Sequence, residues 1–312
     1  MHPEFAPLIR IWILGIIHTM TMRYTYHTTC PNPELRFHIE HSVFNRRAFS
    51  VHTHDFSELV LVRHGRGTHI FEGREYPLSS GDVFVVSPNQ QHGYRDIEGI
   101  DLCNIIYDPE IYLPTGSDLQ SLPGYHALFH IEPLLRHDHA FTSRLLLNKE
   151  QMLRVYELLD PLEKEYRTQQ PGFESVIRSY FTIMVTYLSR QFTIQDTTGS
   201  RELLALSRVI AHIESRYAEP IRLDDLAATA IMSKNSLLRA FNRCYGSTPI
   251  DYLIRYRLEK ARELLVTTRQ SITEIAFAVG FSDSSYFGRK FRDQYSVSPR
   301  IYRNGLKDRL LE

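Results

Sequence analysis

The chain has 312 residues, 43% of them hydrophobic and 23% charged, with 36 basic and 36 acidic side chains. That is the composition of an ordinary soluble globular protein, long enough for about two domains that each bury a core. The three scattered cysteines, Cys30, Cys103 and Cys244, include no CxxC pair; this argues against a disulfide framework or a zinc finger and fits a reducing cytoplasm.

The balanced charge hides an asymmetry. From Arg201 onward there are 19 Lys and Arg against 13 Asp and Glu, a net of +6, which leaves a net of −6 on residues 1–200. A basic C-terminal third on an acidic remainder points to a polyanionic partner for that third. Histidine is skewed the other way, with 14 of 15 before residue 201.

At the N-terminus, "LIRIWILGII" (Leu8 to Ile17) is apolar but far shorter than the roughly 20 residues that span a bilayer. Arg10 interrupts it, little positive charge precedes it and no A-x-A-like cleavage site follows. With Met20 and Met22 just behind, residues 1–30 read as an extension, disordered or begun at an upstream start codon in error, rather than as a membrane signal.

From Leu35 to Tyr112 the chain reads as short strands. "ELVLV", "THIFEG", "DVFVVSP" and "NIIYDP" are β-branched and aromatic runs bounded by Gly, Pro and Asp. They predict a small β-barrel or sandwich over residues 31–135. In "SVHTHDFSELVLV" strand alternation puts His52 and His54 on one face, where Glu58 joins them. The second marked stretch is "GDVFVVSPNQQH", ending at His92.

Together, His-x-His-x3-Glu and the later Gly-Asp…Pro-x3-His resemble the two signature motifs of the cupin barrel. The resemblance implies that His52, His54, Glu58 and His92 converge inside one end of the barrel. Three imidazoles and a carboxylate suit Zn, Mn, Fe or Ni; without metal the same four side chains line a polar pocket. At this level a metal-dependent enzyme and a binding module both remain open.

Helical sequence follows, over residues 136–200. "NKEQMLRVYELLDPLEKEY" and "SVIRSYFTIMVTYLSRQF" place apolar residues at helical spacing, with "QQPG" between them. They read as an antiparallel pair, either core packing or a dimer seam. The polar "QDTTGS" (Gln195 to Ser200) reads as a linker.

Beyond the linker the chain repeats itself. Leu226, Ala227, Leu237, Arg239, Phe241 and Pro249 recur as Ile275, Ala276, Phe287, Arg289, Phe291 and Pro299, with an offset of 49 before the turn and 50 after it. Each unit is a short apolar helix, a tight turn and a second helix, which is helix-turn-helix organisation twice over. Ser233 and Ser282 stand at expected N-caps, Ser271 with Glu274 makes a capping box, Gly246 and Gly280 mark helix ends, and Pro249 and Pro299 suit first helical positions. The intervening helix, about 19 residues and roughly 28 Å long, holds the two units about one DNA turn apart.

Leu237 and Phe241 set the buried side of the first recognition helix. Stepping about 100° per residue then turns Asn235, Arg239 and Arg243 outward, with Ser236 and Asn242 beside them. In the second, Phe287 and Phe291 go in while Ser285, Arg289 and Arg292 face out. Arginine reads guanine through a bidentate bond and Asn reads adenine; Lys234 and Lys290 suit phosphates.

Residues 201–303 resemble the DNA-binding domain of the AraC family of bacterial transcription regulators, through "ITEIAFAVGFSDSSYFGRKFRDQYSVSPRIYR". The resemblance implies seven helices in a domain over 201–312. One residue departs from the pattern: Ser296 stands where Gly is usual, at about 1 kcal/mol if the position is left-handed. The barrel resembles the family's cupin-like effector domain, and "HTHDFSELVLV" and "NIIYDPE" are similar to segments of the rhamnose-responsive members. The fold expected is therefore α+β in two domains. The resemblance implies a non-enzymatic, cytoplasmic activator of carbohydrate-utilisation genes. Its partners would be double-stranded promoter DNA, a small-molecule effector such as a sugar, RNA polymerase and a second copy of the chain, with no membrane. It implies no cofactor beyond a divalent metal in the barrel. The alternative is a metal-dependent cupin enzyme fused to a DNA-binding tail.

Overall fold

The computed structural model describes residues 22–43, 48–113, 118–136, 144–194 and 200–309. The apolar run Leu8–Ile17 and all but the last residue of the expected linker lie outside them. Among the described residues, no helix is long and apolar enough to cross a membrane.

The N-terminal half is built on β1 (Met22–Tyr24), β2 (Phe37–Val43), β3 (Ala48–His54), β4 (Ser57–Phe71), β5 (Arg74–Ser79), β6 (Asp82–Val86) and β7 (His92–Tyr107), with a short β8 (Leu145–Leu146). "ELVLV" and "THIFEG", expected as separate short strands, are the two ends of β4, which is 15 residues long; β7 has 16. The two pair antiparallel from Ser57↔Tyr107 to Phe71↔His92, with register shifts between Val62 and Thr68. Glycine is what lets so long a ladder bend. Gly65 has φ +84°, and a Cβ there would lie 2.3 Å from the Gly99 carbonyl oxygen, so any side chain would push the two strands apart.

The bend divides the ladder into two half-sheets. One half carries β6 and β2 on its edges, and the other carries β5 and β3, with β1 parallel beside β3. The first half is buried on both faces, which is why its sequence is continuously apolar rather than alternating. Leu59, Leu61, Val83, Val85, Cys103 and Ile105 pack outward with the helices, and Val60, Val62, Phe84 and Leu102 pack inward with Phe71, Leu78 and Tyr94.

Short helices α1 (Tyr26–Thr29) and α2 (Pro109–Tyr112) flank the barrel. A run that the sequence reading did not single out then crosses from the barrel to the rest of the chain. It comprises α3 (Pro123–His126), a π-helical turn (Ala127–Ile131) and α4 (Glu132–Leu135). Next come α5 (Lys149–Thr168), capped by Asn148 and Gln151, and α6 (Phe173–Ile194). Left-handed Gln169 and Gly172 reverse the chain between them, and Gln151 of α5 reaches Gln191 near the far end of α6 at 2.7 Å, so the pair is antiparallel as expected.

The C-terminal half is helical: α7 (Ser200–Arg216), α8 (Leu223–Ala230), α9 (Lys234–Tyr245), α10 (Pro249–Thr267), α11 (Ile272–Ala278), α12 (Ser284–Tyr295) and α13 (Pro299–Arg309). Pro249 and Pro299 open α10 and α13. Ser233 caps α9 through the Ser236 amide, and Ser271 and Glu274 form their box. The cap expected at Ser282 is instead Asp283, whose carboxylate accepts from the amides of Ser285 and Tyr286 at 2.8 and 3.3 Å. The one-residue insertion in the second turn moves the cap along by one, and a carboxylate also suits the positive end of a helix.

Gly246 and Ser296 end α9 and α12 in the left-handed conformation, at φ 62° and 61°. In the first turn Ile231 takes φ 56° while 84% exposed, where the second turn has Gly280 at φ 92°. A β-branched residue in that conformation is strained.

Two measurements follow from this packing. Replacing Ser296 by Gly should raise stability by about 1 kcal/mol, read as a higher midpoint in urea unfolding. His126 is 2% exposed, and its Nε2–H donates to the Gln120 carbonyl at 2.8 Å. Burial, helped by the neighbouring His130 ring, pushes its pKa down to about 3. The unfolded imidazole titrates near 6.5, so the unfolded chain binds the proton first and stability falls as pH drops below about 6.5. Between pH 7.5 and 5.5 this histidine should remove about 1 kcal/mol, and urea titrations of His126→Gln should show a shallower pH slope.

Candidate effector chamber and nucleic-acid interface

The four side chains singled out in the barrel do not share one strand. β3 ends at His54 and β4 starts at Ser57. At Asp55 and Phe56 the chain crosses from one half-sheet to the other. His52 and His54 therefore face inward from one wall and Glu58 from the opposite one, while His92, at the start of β7, pairs directly with His52. All four are buried. Convergence across the barrel replaces the single-face alignment expected from alternation.

Three of the four form a tight group. One donor atom from each of His54, Glu58 and His92 lies within 4.8 Å of the others. Glu58 Oε2 is 3.6 Å from His54 Nε2 and 3.3 Å from His92 Nε2, yet it lacks the alignment of a hydrogen bond with either. His52 stands outside this group. Its Nδ1–H donates to the Ser50 carbonyl at 3.1 Å, and its ring lies 4.1 Å from that of His92, centre to centre.

Burial dominates the titration of His52 and His92. It pushes His52 down to about 4, with the His92 ring adding to the effect, and it lowers His92 against the pull of Glu58. Burial opposes the Glu58 charge as well, but the two flanking imidazoles outweigh it and hold the carboxyl below its usual range.

The donor set fits a divalent metal. His54 Nδ1 donates to the Phe56 carbonyl at 2.7 Å, which turns Nε2 toward the group as the ring nitrogen available to a ligand. A ligating histidine is oriented in the same way. Two imidazoles and a carboxylate with ligand bonds near 2.0–2.2 Å suit Zn or Fe, and the separations found here are compatible with one shared ion.

A second group, His41, Cys103 and Glu163, also lies close together, but its chemistry is different. His41 Nε2 bonds Glu163 at 2.7 Å and its Nδ1 accepts from Arg63 at 2.9 Å. Burial, with Glu163 nearby, pushes the Cys103 thiol up, so neither ring nitrogen nor a thiolate is on offer.

Sequence reading missed much of the chamber's polar lining. His69 is fully buried, its ring 4.8 Å from Phe84, 5.3 Å from Tyr94 and 6.1 Å from His92. Asn104 adds a buried amide, and the Glu132–Arg136 pair closes the wall at β6. His69 and Asn104 were open to discovery by alternation, since they lie on the inward phase of "THIF" and "NIIY". For Arg136 the only sequence signal is its four-residue spacing from Glu132.

In the C-terminal half, Leu237 and Phe241 of α9 and Phe287 and Phe291 of α12 are fully buried. Asn235, Arg239, Arg243, Ser285, Arg289 and Arg292 are exposed on the other sides of those helices, and Ser236 and Lys290 are half-buried. Several carry local ties. The Ser236 hydroxyl is 2.9 Å from that of Ser233, Arg243 pairs with Glu202 of α7 at 2.5 Å, and Lys234 pairs with Asp224 at 2.5 Å. Arg289 and Lys290 each place their charge 5.8 Å from the Tyr286 ring. The Arg243 guanidinium is held by its ion pair with Glu202, and an exposed pair of this kind opens at a cost of at most about 1 kcal/mol.

A two-walled barrel with a polar interior, joined to two capped helix-turn-helix units, defines a ligand-binding transcription regulator. Residues 39–170 match the AraC-like ligand binding domain and residues 226–305 match a helix-turn-helix domain. The chain belongs to the AraC family of ligand-responsive, DNA-binding transcription regulators. It is similar to the HTH-type transcriptional activator RhaS of an Enterobacter species, 32% identical over 260 residues that cover 83% of this chain and 88% of the relative. The RhaS activator of Citrobacter koseri is 31% identical over 267 residues, covering 85% and 91%. Among solved structures, the DNA-binding domain of the global transcriptional factor AdpA, in complex with a target DNA, is 34% identical over 34% of this chain and 95% of its own, with a TM-score of 0.32.

Proposed function

We propose that this protein activates carbohydrate-utilisation genes in the cytoplasm when a sugar or similar polyhydroxylated molecule enters the barrel. The observation that carries this reading is the enclosed polar wall of His52, His54, Glu58, His69 and His92 beside the aromatic faces of Phe71, Phe84 and Tyr94. Hydroxyl groups find donors and acceptors on the first set, and the C–H faces of a sugar ring suit the second. The activators RhaS, similar along most of the chain, support the direction of control. The barrel performs no catalysis in this reading.

The regulator acts as a homodimer, with RNA polymerase as its further partner. Leu153 of α5 and Ile183 of α6 are 62% and 49% exposed, an apolar surface on the helix pair suited to a second copy. On DNA, Arg239 and Arg289 read base edges, with Asn235, Ser236, Ser285 and Arg292 beside them, and Lys290 holds the phosphate backbone.

A second reading rests on the grouping of His54, Glu58 and His92: a resident divalent metal in the chamber, structural or catalytic. Held there, the metal would act as a Lewis acid toward ligand hydroxyls, and the histidines would orient it.

Two experiments separate these claims. With operator DNA selected from the upstream region, Arg239→Ala and Arg289→Ala should each cost about 1–3 kcal/mol and relax specificity at different base positions. Lys290→Ala should weaken binding to all sequences alike and flatten the salt dependence. Wild-type affinity in both arginine variants would overturn the face assignment.

For the barrel, a thermal-shift panel of monosaccharides that includes L-rhamnose should yield one sugar that raises Tm, equivalent to about 2.7 kcal/mol at a hundredfold excess over Kd. Glu58→Ala should lose the shift. If no sugar moves Tm, the carbohydrate reading fails. Elemental analysis of the same preparation should find no stoichiometric metal; Fe, Mn or Ni retained by wild type and lost in His54→Ala would favour the enzyme reading.

A further inference from the structure

Arg136 directly follows α4 and has no solvent exposure, and neither has Glu132. Its Nε and Nη2 donate to the Glu132 carboxylate at 3.0 and 2.6 Å, and Nη2 also donates to the Val85 carbonyl of β6 at 2.5 Å. The guanidinium lies 4.4 Å from the centre of the Phe71 ring and 5.2 Å from that of Phe84. Phe84 in turn faces His69, so Arg136 is seated in the wall of the chamber. A desolvated, forked ion pair tolerates little displacement, because moving one partner strands the other's charge.

The same helical run reaches the DNA-binding half. From Pro123 to Leu135 it continues through the π-helical turn without a break, about 20 Å at 1.5 Å per residue. Gly124 wedges it against α6, where a Cβ would lie 1.8 Å from the Ser189 carbonyl oxygen. At the far end, the Gln120 side chain accepts from the Tyr256 hydroxyl of α10 at 3.3 Å and the Gln120 carbonyl accepts from His126. The run also packs against α7. π-helical turns gather at functional positions because they trade regular bonding for a specific side-chain placement.

We infer that Arg136 is the positioning residue through which the state of the chamber reaches the DNA-binding domain, with helix 123–135 as a lever seated on Val85 and Glu132 at one end and on α7 and α10 at the other. This rests on the barrel being the effector chamber. Ligand hydroxyls compete for the same guanidinium and carboxylate, so occupancy resets the seat, and a run wedged at Gly124 passes the displacement to Gln120 and α7.

Hydrogen–deuterium exchange of the full chain, without effector or DNA, tests the lever by itself. Arg136→Lys keeps the charge but loses the fork, and the double variant Glu132→Leu with Arg136→Met removes both charges so that neither is stranded. Both should speed exchange about tenfold in α7 and around Tyr256, while Ile100→Ala, a barrel-core change away from the run, speeds exchange in β4 and β7 alone. Reciprocally, Tyr256→Phe should loosen β6. Changes confined to the barrel in both Arg136 variants, or α7 loosened equally by Ile100→Ala, would overturn the lever. A sugar-induced rise in Tm alongside that result would leave the effector reading standing, whereas its absence with the coupling intact would sink the effector reading alone.

Discussion

The antiparallel ladder between β4 and β7 is the constraint on which the rest of the molecule depends. Two strands of 15 and 16 residues pair along their whole length and bend where Gly65 meets Gly99. The bend makes one ladder into two facing walls. The strand-borne polar side chains of the chamber are placed by it, because β3 and β6 take their positions from opposite halves of the same two strands. It also fixes which face of β4 looks toward α5 and α6, and so where the helical half attaches.

Enclosing so many ionisable groups in that space is costly, and the structure meets the cost locally. Arg136 and Glu132 neutralise each other, Asp82 is held by Arg144 and the Ser79 amide, and His52, His69 and His92 are driven toward their neutral forms by burial. The apolar residues that alternate with these groups supply the stabilisation that a wholly polar interior would lack. The helical half is assembled differently, from short helices whose ends are satisfied one by one by Ser233, Ser271, Thr248 and Asp283.

Much of this was legible in the sequence, and what was missed has physical reasons. The duplicated helix-turn-helix shows itself because its signals are local: caps, prolines and a helical period lie within a dozen residues of one another. The cap shift from Ser282 to Asp283 was implicit in the offset of 50 after the turn, which maps Ser233 onto Asp283, but two adjacent cap-forming residues obscured it. β4 was read as two strands because the glycines that bend it are also the usual marks of a chain break. The crossing at Asp55 and Phe56 left no periodic trace, since His54 and Glu58 keep an even spacing whether or not the chain changes sheets. Helix 123–135 went unnoticed for a similar reason: its buried contacts come from three different elements, so it shows no single apolar stripe.

The hydrogen bond from His54 Nδ1 to the Phe56 carbonyl reaches further than its local role. By placing a proton on that side of the ring, it turns Nε2 toward the Glu58 oxygen, 3.6 Å away. In the proposed effector reading, a guest that brings a hydroxyl hydrogen or a positive charge would find a buried carboxylate oxygen with no aligned donor, and one that brings a carboxylate or phosphate would meet its like charge. In that reading the barrel would sort guests by charge before shape is consulted, through an acceptor that its own side chains leave unmet.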